Sequence, residues 1–206
     1  MQISERQYNT FVIMQFQHVK EFILDKQKKE LPPNLSYHTV THIIDVYHAA
    51  ENIGSLEGIT DHEMHLLLTA ALFHDSGFTI GPNCHEEKSC HIASQYLPNY
   101  GYAIGEIEKI NGMIMATKLP QLPQNHIEEI ICDADLDYLG RDDFFPISDN
   151  LYIEFINSGI VNTENDWNKL QVTFFENHHY FTDSALKLRK KKKEENLRLI
   201  KSRIKP

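Results

Sequence analysis

Apolar residues recur at helical spacing along almost the whole chain, and the strict alternation of a strand is weak. A first helix is predicted from a cap at Ser4 to about Leu31, where Pro32 and Pro33 end it. Phe11, Met14, Val19, Phe22 and Ile23 form its apolar stripe. A second helix covers about residues 39–53, with Gly54 as its stop. Thr60 and Glu63 have capping-box spacing for a third, which runs through His74. Its LLLTAALF run has the Ala-Leu content of a buried helix. Residues 76–84 hold Gly77, Gly81 and Pro82 and are predicted as a loop. Helices follow at about 86–96, 103–116 and 127–138, punctuated by Pro98, the Pro120/Pro123 pair and Gly140. The remainder gives helices at about 145–157, 164–177 and 183–202. The fold class is therefore all-α, a compact bundle rather than an up-down four-helix arrangement.

The chain has 206 residues, enough to bury a core without disulfide or metal staples. It is read as one domain, with a motif-bearing core at about 37–140 and helices of 141–206 packed on it. The formal net charge is −9, which argues against a general nucleic-acid binder. Half of the 20 Lys and Arg lie from Lys187 onward, so the rest of the chain is strongly acidic. That basic run is read as a solvated helix, with docking of an acidic partner or a second subunit as the alternative. A homodimer stays open. Three cysteines, Cys84, Cys90 and Cys132, without CxxC spacing suit a reducing compartment. Cys132 is read as a packing residue, and so is Cys84, with a place near a site beside His85 as its alternative. The N-terminus does not read as a signal peptide, and no apolar run approaches the ~20 residues needed to span a bilayer. A cytoplasmic protein without a membrane partner is expected.

Three segments carry the chemistry. His38 and His42 are four apart at the start of a helix and share a face. Two imidazoles there can bind one metal, or one can bind while the other handles protons. His74 and Asp75 end an apolar helix and enter a glycine loop, where two buried polar groups need a partner such as a cation. Asp133, Asp135 and Asp137 alternate in an apolar context. On a helix Asp133 and Asp137 share a face and Asp135 points elsewhere, so at least one acid faces inward and needs a cation or histidine.

Together these segments read H…HD…D and resemble the HD superfamily of metal-dependent phosphohydrolases, over about residues 37–140. The resemblance implies His42, His74, Asp75 and Asp135 as ligands of one or two divalent ions: Mn, Mg, Fe, Co, Ni or Zn. Asp133 is the second choice for the final ligand. The segment Tyr37–His38–Thr39–Val40–Thr41–His42–Ile43–Ile44–Asp45–Val46 also resembles the YHNxxHxxDV stretch of cyclic nucleotide phosphodiesterases. That implies His38 as general acid, with Asp75 helping to activate water. His85-Glu86-Glu87-Lys88-Ser89 is similar to an HE/NE-xxSA element of small HD phosphohydrolases. It implies Glu86 as an orienting, catalytic acid and His85 at the phosphate or a second metal; a capped helix start is the alternative. Lys118 is a candidate phosphate contact or a surface lysine. His178-His179-Tyr180 could line a pocket or end a packed helix, and the Met113/Met115 and Phe174/Phe175 pairs are read as core.

The expected activity is hydrolysis of a small phosphate mono- or diester, such as a nucleotide, by a metal-dependent phosphohydrolase. Two other classes stay open. A di-iron oxygenase of the same fold would need extra histidines between the HD pair and the final Asp, where His85, His91 and His126 lie. A non-catalytic module would bind metal or nucleotide and regulate.

Overall fold

Helix α3 (Asp61–Phe73) is enclosed on every side, with each residue from Leu66 to Phe73 buried. A helix apolar all round can only sit inside a fold. It packs against α1 (Glu5–Glu30), α2 (Val40–Glu57), α5 (Ile104–Ala116) and α6 (His126–Asp135). Helices α4 (His85–Tyr96), α7 (Phe144–Asn157), α8 (Glu164–Asn177) and α9 (Asp183–Arg203) complete the fold. Short 3-10 turns occupy Ser76–Thr79, Leu97–Tyr100 and Asp137–Gly140. The structure is a computed structural model and describes residues 5–205, with side chains from Gln15 onward. Among these there is no strand. The predicted Ser4 cap and the stripe side chains Phe11 and Met14 lie outside the described residues.

Three local expectations change. The second helix runs past Gly54 to Glu57, because the left-handed stop is Gly58 at φ 68°, where the Gly58 N–H reaches the Ser55 carbonyl and the Ile59 N–H the Gly54 carbonyl. The helix expected through Tyr138 ends at Asp135, and the chain tightens into the turn Asp137–Gly140. Cys84 is exposed at φ 51° ahead of α4 and is not a packing residue, whereas Cys132 is buried. The Thr60–Glu63 capping box forms as the sequence predicts.

Two apolar clusters result. The larger surrounds α3. The smaller joins Tyr37, Leu136, Tyr138, Leu139, Phe144, Phe175 and Ile200. Met113 and Phe175 are buried core, but Met115 and Phe174 are only half-buried.

Helix α9 straps the two regions together. Arg189 reaches Asp137 at 2.6 and 3.0 Å, and Asn196 donates to the Leu139 and Arg141 carbonyls. The basic run is thus a solvated face only in part. Lys190 and Lys191 are exposed, but Lys192 pairs with Asp142, and Lys193 donates to the His178 carbonyl. Arg203 lies 3.9 Å over the Phe145 ring. Among the described residues, no helix is long and apolar enough to cross a membrane.

Candidate metal centre

Four side-chain donor atoms converge where α2, the end of α3 and the end of α6 meet. His42 Nε2 lies 3.3 Å from His74 Nε2 and 3.3 Å from Asp135 Oδ1. His74 Nε2 lies 3.5 Å from the same oxygen. Asp75 Oδ2 lies 3.4 Å from His42 Nε2 and 3.2 Å from His74 Nε2. Ligands about 2.1 Å from one ion stand roughly 3.0–3.4 Å from their neighbours in octahedral or tetrahedral geometry. The spacings among His42, His74 and Asp135 therefore suit one ion, with Asp75 beside the two imidazoles. His42, His74 and Asp135 form a compact metal-compatible group, with His42 and His74 buried.

The tautomer of His74 also suits a ligand. Its Nδ1 lies 2.8 Å from the Ala71 carbonyl, which can only accept, so Nδ1 carries a proton and Nε2 is the nitrogen left for an ion once its own proton is displaced. Burial works to lower both imidazoles, but Asp75 and Asp135 overcome it: His42 is raised, and His74 is raised well above its ordinary value. Burial works to raise the two carboxylates, and the imidazoles overcome that in turn. Asp75 is held well below its usual range and Asp135 is brought to about 2. The cluster is thus a mutually paired set of charges, the electrostatic setting a cation can enter by replacing protons.

Asp137 lies in the turn beyond α6 and so does not share its helical face, yet both it and Asp133 are taken up by the α9 segment. Both Asp133 oxygens are occupied: they accept from the backbone N–H groups of Phe181 and Thr182 and from the Thr182 hydroxyl, at 2.8–2.9 Å. Asp133 therefore ties down the start of α9 and is not turned to the cluster, which corrects its second-choice ligand assignment. Burial, against those hydrogen bonds, pushes its carboxyl up to about 6.

His38 stands beside this cluster. Its Nδ1 donates to Glu154 Oε2 at 2.7 Å, and the backbone N–H groups of Tyr37 and His38 donate to Glu154 Oε1. Glu154 is buried on α7 and was not singled out from the sequence. Its only sequence signal is a lone acid within the apolar run Leu151-Tyr152-Ile153-Glu154-Phe155-Ile156. The His38 ring stacks on Phe78 with centroids 4.1 Å apart, and Phe78 also meets His85 at 4.3 Å.

The 3-10 turn after His74-Asp75 is pressed against the start of α4. A Cβ on Gly77 would sit 1.9 Å from the His85 carbonyl oxygen, so only glycine fits. The Gly77 N–H donates to the Ser89 hydroxyl at 2.8 Å. This contact sets His85 Nε2 3.5 Å from Asp75 Oδ1 and 3.4 Å from Glu86 Oε1. Glu86 is buried there, so His85, Glu86 and Asp75 form a second polar edge of one site.

Lys118 lines the same cavity, but its ammonium is paired with Glu87. His91 is exposed, and His126 is exposed and pairs with Glu57 and Glu129. Of the three intervening histidines only His85 reaches the centre. His178 borders a neighbouring pocket with Leu119 and Phe174.

The chain matches no family model and no curated protein sequence. Solved structures do share its fold. Bacillus subtilis YpgQ, in complex with ADP, superposes at a TM-score of 0.65 with 16% identity, over 93% of this chain and 94% of that one. A predicted HD superfamily hydrolase from an uncultured Thermotogales bacterium superposes at 0.59 with 19% identity, over 88% and 89%. This chain shares the all-α fold of these two structures, and it gathers His42, His74 and Asp135 in one metal-compatible cluster.

Proposed function

We propose that this chain is a metal-dependent phosphohydrolase acting on a small phosphate ester. The observation that carries this reading is the convergence of His42, His74, Asp75 and Asp135 donor atoms beside a His38 whose Nδ1 is already committed to Glu154. Two imidazole nitrogens with two carboxylates favour a transition ion such as Mn, Fe, Co, Ni or Zn over Mg. When bound, the ion supplies charge neutralisation at phosphoryl oxygens and a more acidic water.

The side chains do the rest. Glu154 holds the His38 ring so that Nε2 is its free nitrogen, and His38 protonates the leaving oxygen there. Asp75 holds an attacking water with one oxygen, and His85 and Glu86 line its approach. Lys118 at the rim meets a phosphate oxygen once it leaves Glu87.

The test is hydrolysis of phosphomonoesters and phosphodiesters by purified protein loaded with each of these ions, beside Asp135→Ala. Metal-dependent turnover lost in the variant is expected. A folded protein that binds the ion and hydrolyses none of the esters would overturn it.

A further inference from the structure

The cavity at the metal centre has a volume of about 440 Å³ and two unlike sets of lining residues. His38, His42, Asp75 and Asp135 are the polar set. The other is a wall raised by α7 and α8, with Leu151, Phe155, Trp167, Leu170 and Phe174. Phosphoryl transfer needs none of this wall. Its volume lies within the roughly 300–1,000 Å³ that drug-sized ligands fill, so a group much larger than phosphate has room there.

The charge of the lining restricts what enters. Among the described residues, Lys118 is the single Lys or Arg of the cavity, and Glu87 holds it. Asp75, Glu86 and Asp135 contribute carboxylates. One phosphate can be offset by a divalent ion and Lys118, but each further phosphate adds charge for which the lining holds no other Lys or Arg. The wall is apolar, and the polar groups of α8 behind it are buried. Trp167 Nε1 is buried with no hydrogen-bond partner among the described residues. Gln171 is buried beside it on α8, its Oε1 accepting from the Ser148 hydroxyl at 2.7 Å.

We propose that the substrate is a phosphomonoester of a bulky, largely apolar alcohol, its phosphate at the metal centre and its alcohol group against the α7–α8 wall. This assignment rests on the phosphohydrolase reading for its reaction and on the cavity for its specificity. Water forms the new bond to phosphorus while the bond to the alcohol oxygen breaks. That oxygen takes its proton from His38, the proton lost by water makes up the balance, and free alcohol and inorganic phosphate leave.

Trp167 is the only tryptophan of the chain, so its fluorescence reports the wall without any need for turnover. The experiment compares ethyl phosphate, 2-cyclohexylethyl phosphate and ATP with Mn(II)-loaded protein. The two esters leave as alkyl alcohols of similar acidity, so their difference reports the wall rather than the leaving group. The cyclohexylethyl ester is expected to exceed the ethyl ester about 100-fold in kcat/KM, through apolar area removed from water. It should also shift Trp167 emission at concentrations where ethyl phosphate does not. Leu170→Asp, at a position 39% exposed, should narrow the ratio to about tenfold. Equal turnover of both esters, or faster turnover of ATP, would overturn the substrate class and leave hydrolysis standing. A Trp167 shift with the cyclohexylethyl ester but no turnover of any compound would keep the specificity and reject the hydrolase. Neither shift nor turnover would overturn both.

Discussion

Glu154 accepts the Nδ1–H of His38 at 2.7 Å, across 116 residues of sequence, and takes two backbone N–H groups of the same segment on its other oxygen. A carboxylate so placed fixes both the ring orientation and the tautomer of an imidazole. Glu154→Gln keeps an acceptor but lets the ring turn. We expect a loss of about 10- to 100-fold in kcat for alkyl esters, which need a proton on the leaving oxygen, and a smaller loss for p-nitrophenyl phosphate. Metal content should not change. An equal loss on both substrates would show that Glu154 acts on something other than proton delivery.

Asp133 and Asp135 separate by function. Asp135→Ala should abolish tight metal binding. Asp133→Ala should leave metal stoichiometry unchanged but lower stability by about 1–3 kcal/mol, because three donors at the start of α9 lose their acceptor. Metal analysis and urea unfolding of the two variants check this. Loss of metal in Asp133→Ala with an intact fold would contradict the geometry.

The metal-free cluster should be stabilising only within a window of pH. His42 and His74 are raised above their ordinary 6.5, so their contribution is full below that value and is lost as pH rises through the folded values. Asp75 and Asp135 are depressed from 3.8, so theirs is full above that value and is lost as pH falls, toward about 2 for Asp135. Chelator-treated protein should therefore have its highest Tm between these limits. Metal binding should release protons from the imidazoles and strengthen as pH rises toward neutrality. Calorimetry in buffers of different ionisation enthalpy measures the release. A Tm independent of pH from 4 to 8 in chelator would count against the paired cluster.

Gly77→Ala should be severe, because its Cβ would collide with the His85 backbone, which cannot swing aside like a side chain. A loss of about 3 kcal/mol is expected, with disturbed metal binding through Asp75. Gly105, within α5, has nothing within 4 Å of its would-be Cβ, so Gly105→Ala should gain about 0.5–1 kcal/mol. Denaturant midpoints at constant m-value report both. A tolerated Gly77→Ala would mean that the turn and α4 are less tightly joined.

Local pattern alone specified the helices, since amphipathic spacing, the Thr60–Glu63 box and the proline breaks act over one or two turns. It also pointed Asp135 away from Asp133, although Asp137 lies in the turn beyond the helix end. It could not say what each side meets. Which acid joins the histidine cluster and which holds the segment before α9 depends on the packing of a helix some 50 residues later, and the hydrogen bonds of Phe181 and Thr182 decide it. Glu154 stayed silent for the same reason: nothing within a turn or two marks its partner. The cavity wall of α7 and α8 reads in sequence as ordinary apolar stripe. The sequence determined the helices and the ligand types, which are short-range properties of spacing and chemistry. Tertiary structure decided the partners and the pocket, because burial and long-range contact arise only when distant helices close on one another.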